Sequence, residues 1–183
     1  MFKAFAKAYL KLMRWKYNEF PDVQKAVVLM APHTSMRDFF LGKMYFAVNG
    51  LKPTILIKKE AFFWPVGPIL KRMGGVPVDR GRKTGLTQQA IESFYKAKGN
   101  FYLVITPEGT RSKTKNWKKG FIRIAKGADV PVVIGFLDMS NRTAGVKGLL
   151  DMSGTDAEIM ERLKRKYIGC QGIHKDKFTT GYE

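Results

Sequence analysis

Cysteine, histidine and acidic residues are all scarce in this 183-residue chain. The single cysteine, Cys170, has no partner in the chain, which excludes an internal disulfide and fits a reducing compartment. The two histidines, His33 and His174, lie far apart and offer no metal-ligand spacing, so no metal is expected. No stretch approaches the roughly 20 consecutive apolar residues that cross a bilayer. Basic residues also break the N-terminal stretch too often for the apolar core of a signal peptide. The expectation is a chain that is neither secreted nor membrane-spanning. Against 15 acidic residues stand 33 basic ones, a formal charge of +18. A field that positive implies an anionic partner, whether a phospholipid surface, a nucleic acid or an acidic carrier protein, the alternative being that the charge serves solubility alone.

What is present is globular. Apolar residues make up 45% of the chain, too many for disorder, and there is no repeat, low-complexity segment or linker. Residues 2 to about 19 have helical periodicity. Phe2, Phe5, Ala6, Tyr9, Leu12 and Met13 share one face, with Lys3, Lys7, Lys11 and Arg14 opposite. Such a helix either lies in a lipid interface or packs on the domain with its basic face in water.

Beyond Phe20, short Val-, Ile- and Phe-rich runs read as buried strands at 25–31, 53–57, 75–78, 101–105 and 131–136. Helical stretches lie between them, clearest at 85–98, and a capping-box start predicts a last helix over 155–167. The stretch 62–70, with two prolines and a glycine, reads as a broken helix or apolar loop. This alternation predicts an α/β fold, a mainly parallel or mixed central sheet flanked by helices, with the amphipathic helix at its N-terminus.

Each strand is followed by polar residues. The first leads to His33 and Asp38, the second to Lys58 and Lys59, the third to Asp79, Arg80 and Arg82, the fourth to Glu108 and Arg111. Ligands of open parallel sheets bind outside the carboxyl ends of the strands, so these residues are expected around one crevice. Asp38 has an ordinary explanation, because Ser35-x-x-Asp38 is a capping box. His33 precedes the cap, where a helix has no need of an imidazole. Folded towards that carboxylate, it would have one nitrogen fixed and the other free as a general base near neutral pH. No serine or cysteine stands out as a nucleophile, so the base would act on a substrate hydroxyl directly. In "TPEGTRSK" (106–113), Gly109 permits a tight turn and close backbone approach to a substrate, while Arg111 offers a fork for a phosphate. The same segment also fits an ordinary charged surface turn.

These residues carry a resemblance. His33 and Asp38, as His-x-x-x-x-Asp, resemble the first signature of the glycerolipid acyltransferases, the lysophosphatidic acid acyltransferase family. "GGVPVDRG" (74–81), "PEGTRS" (107–112) and "VPVVIG" (130–135) are similar to its second, third and fourth blocks, in the same order. One departure is Pro32, where the family has asparagine. The resemblance implies transfer of an acyl group from acyl-CoA or acyl carrier protein, as co-substrate and with no cofactor, to a lysophospholipid-type hydroxyl. His33 and Asp38 would be catalytic. Lys58, Arg80 and Arg111 would hold the acceptor's phosphate, and Glu108 and Gly109 would shape its site. Residues 1–20 would form a membrane-surface helix and 21–183 the acyltransferase domain, peripherally bound to the cytoplasmic face of an anionic membrane.

Three other readings compete. One is an acyltransferase whose lipid acceptor is not a glycerophosphate. In a nucleic-acid-binding module, Trp117 among Lys115, Lys118 and Lys119 would stack bases, although no established motif accompanies it. In an inactive lipid-surface scaffold the same surfaces would serve without turnover.

Overall fold

The strand-forming runs assemble into one mixed sheet in a computed structural model that describes residues 2–79 and 85–182, the side chain of Lys58 apart. Its strands are β1 (Lys16–Tyr17), β2 (Lys25–Ala31), β3 (Pro53–Lys58), β4 (Gly75–Val78), β5 (Phe101–Ile105), β6 (Val132–Asp138) and β7 (Thr143–Leu149). They lie in the order β1-β7-β6-β2-β5-β3-β4. From β6 to β4 every neighbouring pair is parallel. At the other edge β7 runs antiparallel to β6, and β1 is parallel to β7.

The helices are α1 (Phe2–Leu12), α2 (Met36–Val48), α3 (Val66–Arg72), α4 (Gly85–Lys96), α5 (Gly120–Ala128) and α6 (Asp156–Lys166). Side chains alternate across a strand, and β2 shows how the two faces divide. Val27, Leu29 and Ala31 join Phe94, Ile124 and Leu163 of α4, α5 and α6 in one core. Ala26, Val28 and Met30 join Leu41, Tyr45 and Phe46 of α2 in a second. Burial on both faces is why these strands read as continuous apolar runs.

The N-terminal helix is shorter than its periodicity predicts. Arg14 takes a left-handed φ of 55°. Trp15 N donates to Leu10 O at 2.8 Å, closing the helix end, and Lys16 N donates to Arg142 O at 2.8 Å to open β1. Pairing with β7 thus outweighs the helical pattern beyond Leu12. Ala6 and Leu10 are fully buried against Met44, Ala47 and Val48 of α2. Phe2, Phe5, Leu12 and Met13 remain exposed. One sector of α1 therefore belongs to the core, a second is apolar and open to solvent, and the lysines form a third. Burying a leucine contributes about 1.5–3 kcal/mol, so α1 also stabilises the domain.

The 62–70 stretch yields α3, preceded by a short 3-10 turn at Lys59–Ala61. The last helix begins at the expected cap, Thr155 accepting from Glu158 N while Glu158 reaches back. No helix among the described residues is long and apolar enough to cross a membrane.

Candidate active site

Strand β2 ends at Ala31, the chain passes through a cis Ala31–Pro32 peptide, and α2 starts after Ser35. Ser35 is extended, and its Oγ accepts from Arg37 N at 3.2 Å. Asp38 Oδ2 accepts from Thr34 N at 2.6 Å and from Ser35 N at 2.7 Å. The capping explanation of Asp38 therefore holds. The same oxygen lies 3.6 Å from His33 Nδ1, so the cap also aims a carboxylate at the imidazole. That separation exceeds a hydrogen bond but lies within ion-pair range of an imidazolium. The second carboxylate oxygen, Asp38 Oδ1, is buried with no hydrogen-bond partner among the described residues.

Strand β5 ends beside β2, and its loop closes on the histidine. Glu108 Oε1 accepts from His33 N at 2.7 Å, tying the two strand ends together. Glu108 Oε2 is buried with no hydrogen-bond partner among the described residues. Burial pushes the Glu108 carboxyl up to about 7, against the lowering effect of its backbone hydrogen bonds. Gly109 follows at φ 67°, a left-handed conformation that glycine adopts without strain. A Cβ there would stand 3.0 Å from Lys118 Cγ, and Lys118 N donates to Pro107 O at 2.7 Å. Gly109 is thus needed both for the turn and for the close pass of Lys118.

Behind His33 opens a cavity of about 540 Å³. Met30, Phe46, Ile55, Val104 and Leu137 give it an apolar wall, while His33, Asp38, Gly109, Lys43 and Lys118 also line it. Lys43 and Lys118 were not among the expected site residues. For Lys43 a signal existed, since Phe39, Gly42, Lys43 and Phe46 follow helical spacing and line the cavity together. Burial lowers the Lys43 pKa.

Arg111 lines a different hollow, of about 480 Å³, with Thr34, Ser35 and Ser112. His174 and Lys177 of the C-terminal segment also line it, from a tail whose sequence shows no periodic pattern. Of the remaining strand-end residues, Lys59 and Asp79 pair with each other at 2.6 Å. The Gln89 side chain holds Asp79 by donating to its carbonyl and accepting from its N–H, which fastens the end of β4 to α4. Arg80 and Arg82, and the side chain of Lys58, lie outside the described residues. Trp117 cannot serve as a base-stacking platform, because it is buried against Tyr167 and Phe178.

A mixed, mainly parallel α/β sheet with a histidine–aspartate pair just beyond one strand end and a largely apolar cavity beside it defines the class. A family model described as Acyltransferase matches residues 14–134. The chain belongs to the acyltransferase family. It is 34% identical over 125 residues to a 1-acyl-sn-glycerol-3-phosphate acyltransferase from Cocos nucifera. That match takes in 63% of this chain and 38% of the relative's length. The fold is similar to the crystal structure of the 1-acyl-sn-glycerophosphate (LPA) acyltransferase PlsC from Thermotoga maritima. The TM-score is 0.60 at 18% identity, covering 90% of this chain and 76% of that one.

Proposed function

We propose that the protein transfers an acyl group from a thioester, acyl-CoA or acyl carrier protein, to the hydroxyl of a lysophospholipid-type acceptor. The observation that carries this reading is the His33–Asp38 pair in the lining of a largely apolar cavity. Asp38 holds Nδ1 of the imidazole by charge and leaves Nε2 free. Nε2 takes the proton of the acceptor hydroxyl as its oxygen attacks the thioester carbonyl. The resulting imidazolium is stabilised by Asp38, and its proton passes to the departing thiolate as the tetrahedral intermediate collapses. The apolar cavity takes the acyl chain, where burial of each methylene adds about 0.8 kcal/mol of affinity. Arg111 and Arg80, with Lys58, hold the acceptor's phosphate.

The lipid substrates would be met at an anionic membrane surface on the cytoplasmic side. Support comes from the charge of +18 and from the open sector of α1. There Phe2, Phe5 and Tyr9 stack in succession, and Tyr9 meets Phe40 of α2 edge-on at 5.2 Å. An apolar face backed by lysines suits the lipid interface.

His33→Ala should lower acyl transfer by about 10²- to 10⁴-fold, the usual loss with a general base, at unchanged thermal stability. Asp38→Asn should cost at least about 10²-fold, because it removes the charge that stabilises the imidazolium. Initial rates of thiol release with acyl-CoA and lysophosphatidate measure both. A folded His33→Ala protein working at the wild-type rate would sink the mechanism.

A further inference from the structure

The Arg111 hollow is chemically unlike the cavity behind His33. Its polar lining includes the hydroxyls of Thr34, Ser35 and Ser112 together with Arg111, His174 and Lys177. No carboxylate lines it among the described residues. Nitrogen donors of three kinds, hydroxyls and no acid are the complement of a phosphate.

Two of those donors come from a C-terminal segment that is fastened on both sides of the hollow. Before it, Met139 N donates to Gln171 O at 2.8 Å and Gln171 N to Asp138 Oδ1 at 3.2 Å. Gly172 lies so close to the turn between β2 and α2 that a Cβ would come within 2.6 Å of the Thr34 side chain and 3.2 Å of Pro32. His174 N then donates to Thr34 Oγ1 at 3.2 Å. After it, Phe178 packs on Trp117 with ring centroids 5.9 Å apart, and Trp117 Nε1 donates to Thr179 O at 3.3 Å. Residues 174–177 therefore bridge two anchors, and the first anchor grips Pro32 and Thr34 on either side of His33. Ordering of this kind is what a preformed site needs.

We propose that the C-terminal segment is the outer wall of the acceptor site, with His174 and Lys177 joining Arg111 to bind the phosphate of the acceptor head group. The proposal rests on the acyltransferase reading and adds two residues of the C-terminal segment to its acceptor phosphate site. A phosphate in this hollow stands against Thr34, next in sequence to the base. A head group without phosphate leaves the cations unmatched, so selectivity follows from the lining.

Two measurements on the full chain test this. In a phosphorus NMR titration with sn-glycerol 3-phosphate, the double variant His174→Ala, Lys177→Ala should bind about 10-fold more weakly or worse, the usual scale for losing charged hydrogen bonds. In steady-state assays, its KM for lysophosphatidate should rise by a similar factor while kcat and the KM for acyl-CoA stay unchanged. Gly172→Ala keeps every donor but displaces the segment from Thr34, and should weaken the same two quantities in a protein with an intact thermal transition. Lys177→Arg should restore binding. Undiminished glycerol 3-phosphate binding in the double variant, or no binding in the wild type, overturns the proposal. So does a loss that falls on acyl-CoA, since the hollow would then serve the donor's phosphates. If the wild type binds glycerol 3-phosphate through these residues yet acylates no lysolipid, the hollow stands and the acyltransferase reading fails.

Discussion

Across the turn from His33 to Ser35 the molecule presents two hollows of similar volume, about 540 and 480 Å³, with opposite linings. The first is walled mainly by regular elements, β2, β3, β5, β6, α2, α4 and α5, and its lining is largely apolar. The second is walled by the turn before α2, the loop after β5 and the C-terminal segment, and is rich in donors. The contrast follows from how each is built. Strand and helix interiors satisfy their own backbone polar groups and can present bare apolar side chains. Loops carry the hydroxyls and cations that a charged ligand needs. Residues 33–35 are the seam, where the His33 imidazole lines one hollow and the Thr34 and Ser35 hydroxyls line the other. A donor's acyl chain in the first hollow and an acceptor's phosphate in the second would match that pairing.

Beyond the loss of activity expected for His33→Ala, the largest effect expected from probing this seam is on stability. Glu108 lies beneath His33, and burial lifts its carboxyl to about 7 from an ordinary 4.5. Between those values the folded state holds a proton that the unfolded state has released. Stability therefore falls as pH rises from about 4.5 through about 7, and the full cost remains above that, on the order of 3 kcal/mol. Glu108→Gln keeps an acceptor for His33 N and cannot ionise. Urea unfolding from pH 5 to 8 should show a flatter stability profile in the variant than in the wild type. Parallel profiles would mean that the carboxyl is not held protonated.

A smaller effect separates the two hollows. Gly42 lines the apolar cavity, and a Cβ there would meet only Met30 Cε, at 3.8 Å. Gly42→Leu therefore projects its outer carbons into the cavity. Transfer from long-chain acyl-CoA should fall by at least about 10-fold, the scale of methylene discrimination in apolar pockets, while short-chain transfer and glycerol 3-phosphate binding persist. Equal losses for both chain lengths would mean that the acyl group lies elsewhere. The smallest effect concerns α1. Replacing Phe2 and Phe5 by serine should weaken co-sedimentation with anionic vesicles by roughly 5-fold, in step with the apolar area withdrawn from lipid. Deleting the helix is the poorer experiment, because Ala6 and Leu10 are core residues of the α2 contact.

The parallel half of the sheet was legible as short apolar runs, with β2 and β6 buried along nearly their whole length. The runs at 25–31, 75–78 and 101–105 coincide with β2, β4 and β5, and 53–57 falls one residue short of β3. The missed strands, β1 and β7, lie at the antiparallel edge. There β7 is half exposed and carries two glycines and a lysine, so no continuous apolar run marks it. Helix α1 was overextended because Trp15 and Tyr17 keep the helical period while serving the edge of the sheet. At the site, His33, Asp38, Glu108 and Gly109 were legible as a crevice because parallel strands bring their carboxyl ends together. Arg111 belongs to the neighbouring hollow, a separation that loop conformation decides. Lys118, His174 and Lys177 could not be placed, because long-range contacts such as Lys118 N to Pro107 O and His174 N to Thr34 Oγ1 position them.

The central claim is that one amphiphilic acceptor is acylated at this seam. Its most direct test is mass spectrometry of lipids after incubation of the full chain with acyl-CoA and paired acceptors, lysophosphatidate and the matching monoacylglycerol without phosphate. The account predicts a diacyl product from lysophosphatidate, little from monoacylglycerol, and none from either with His33→Ala. Equal acylation of the two acceptors, or product formation that survives His33→Ala in a folded protein, would contradict it.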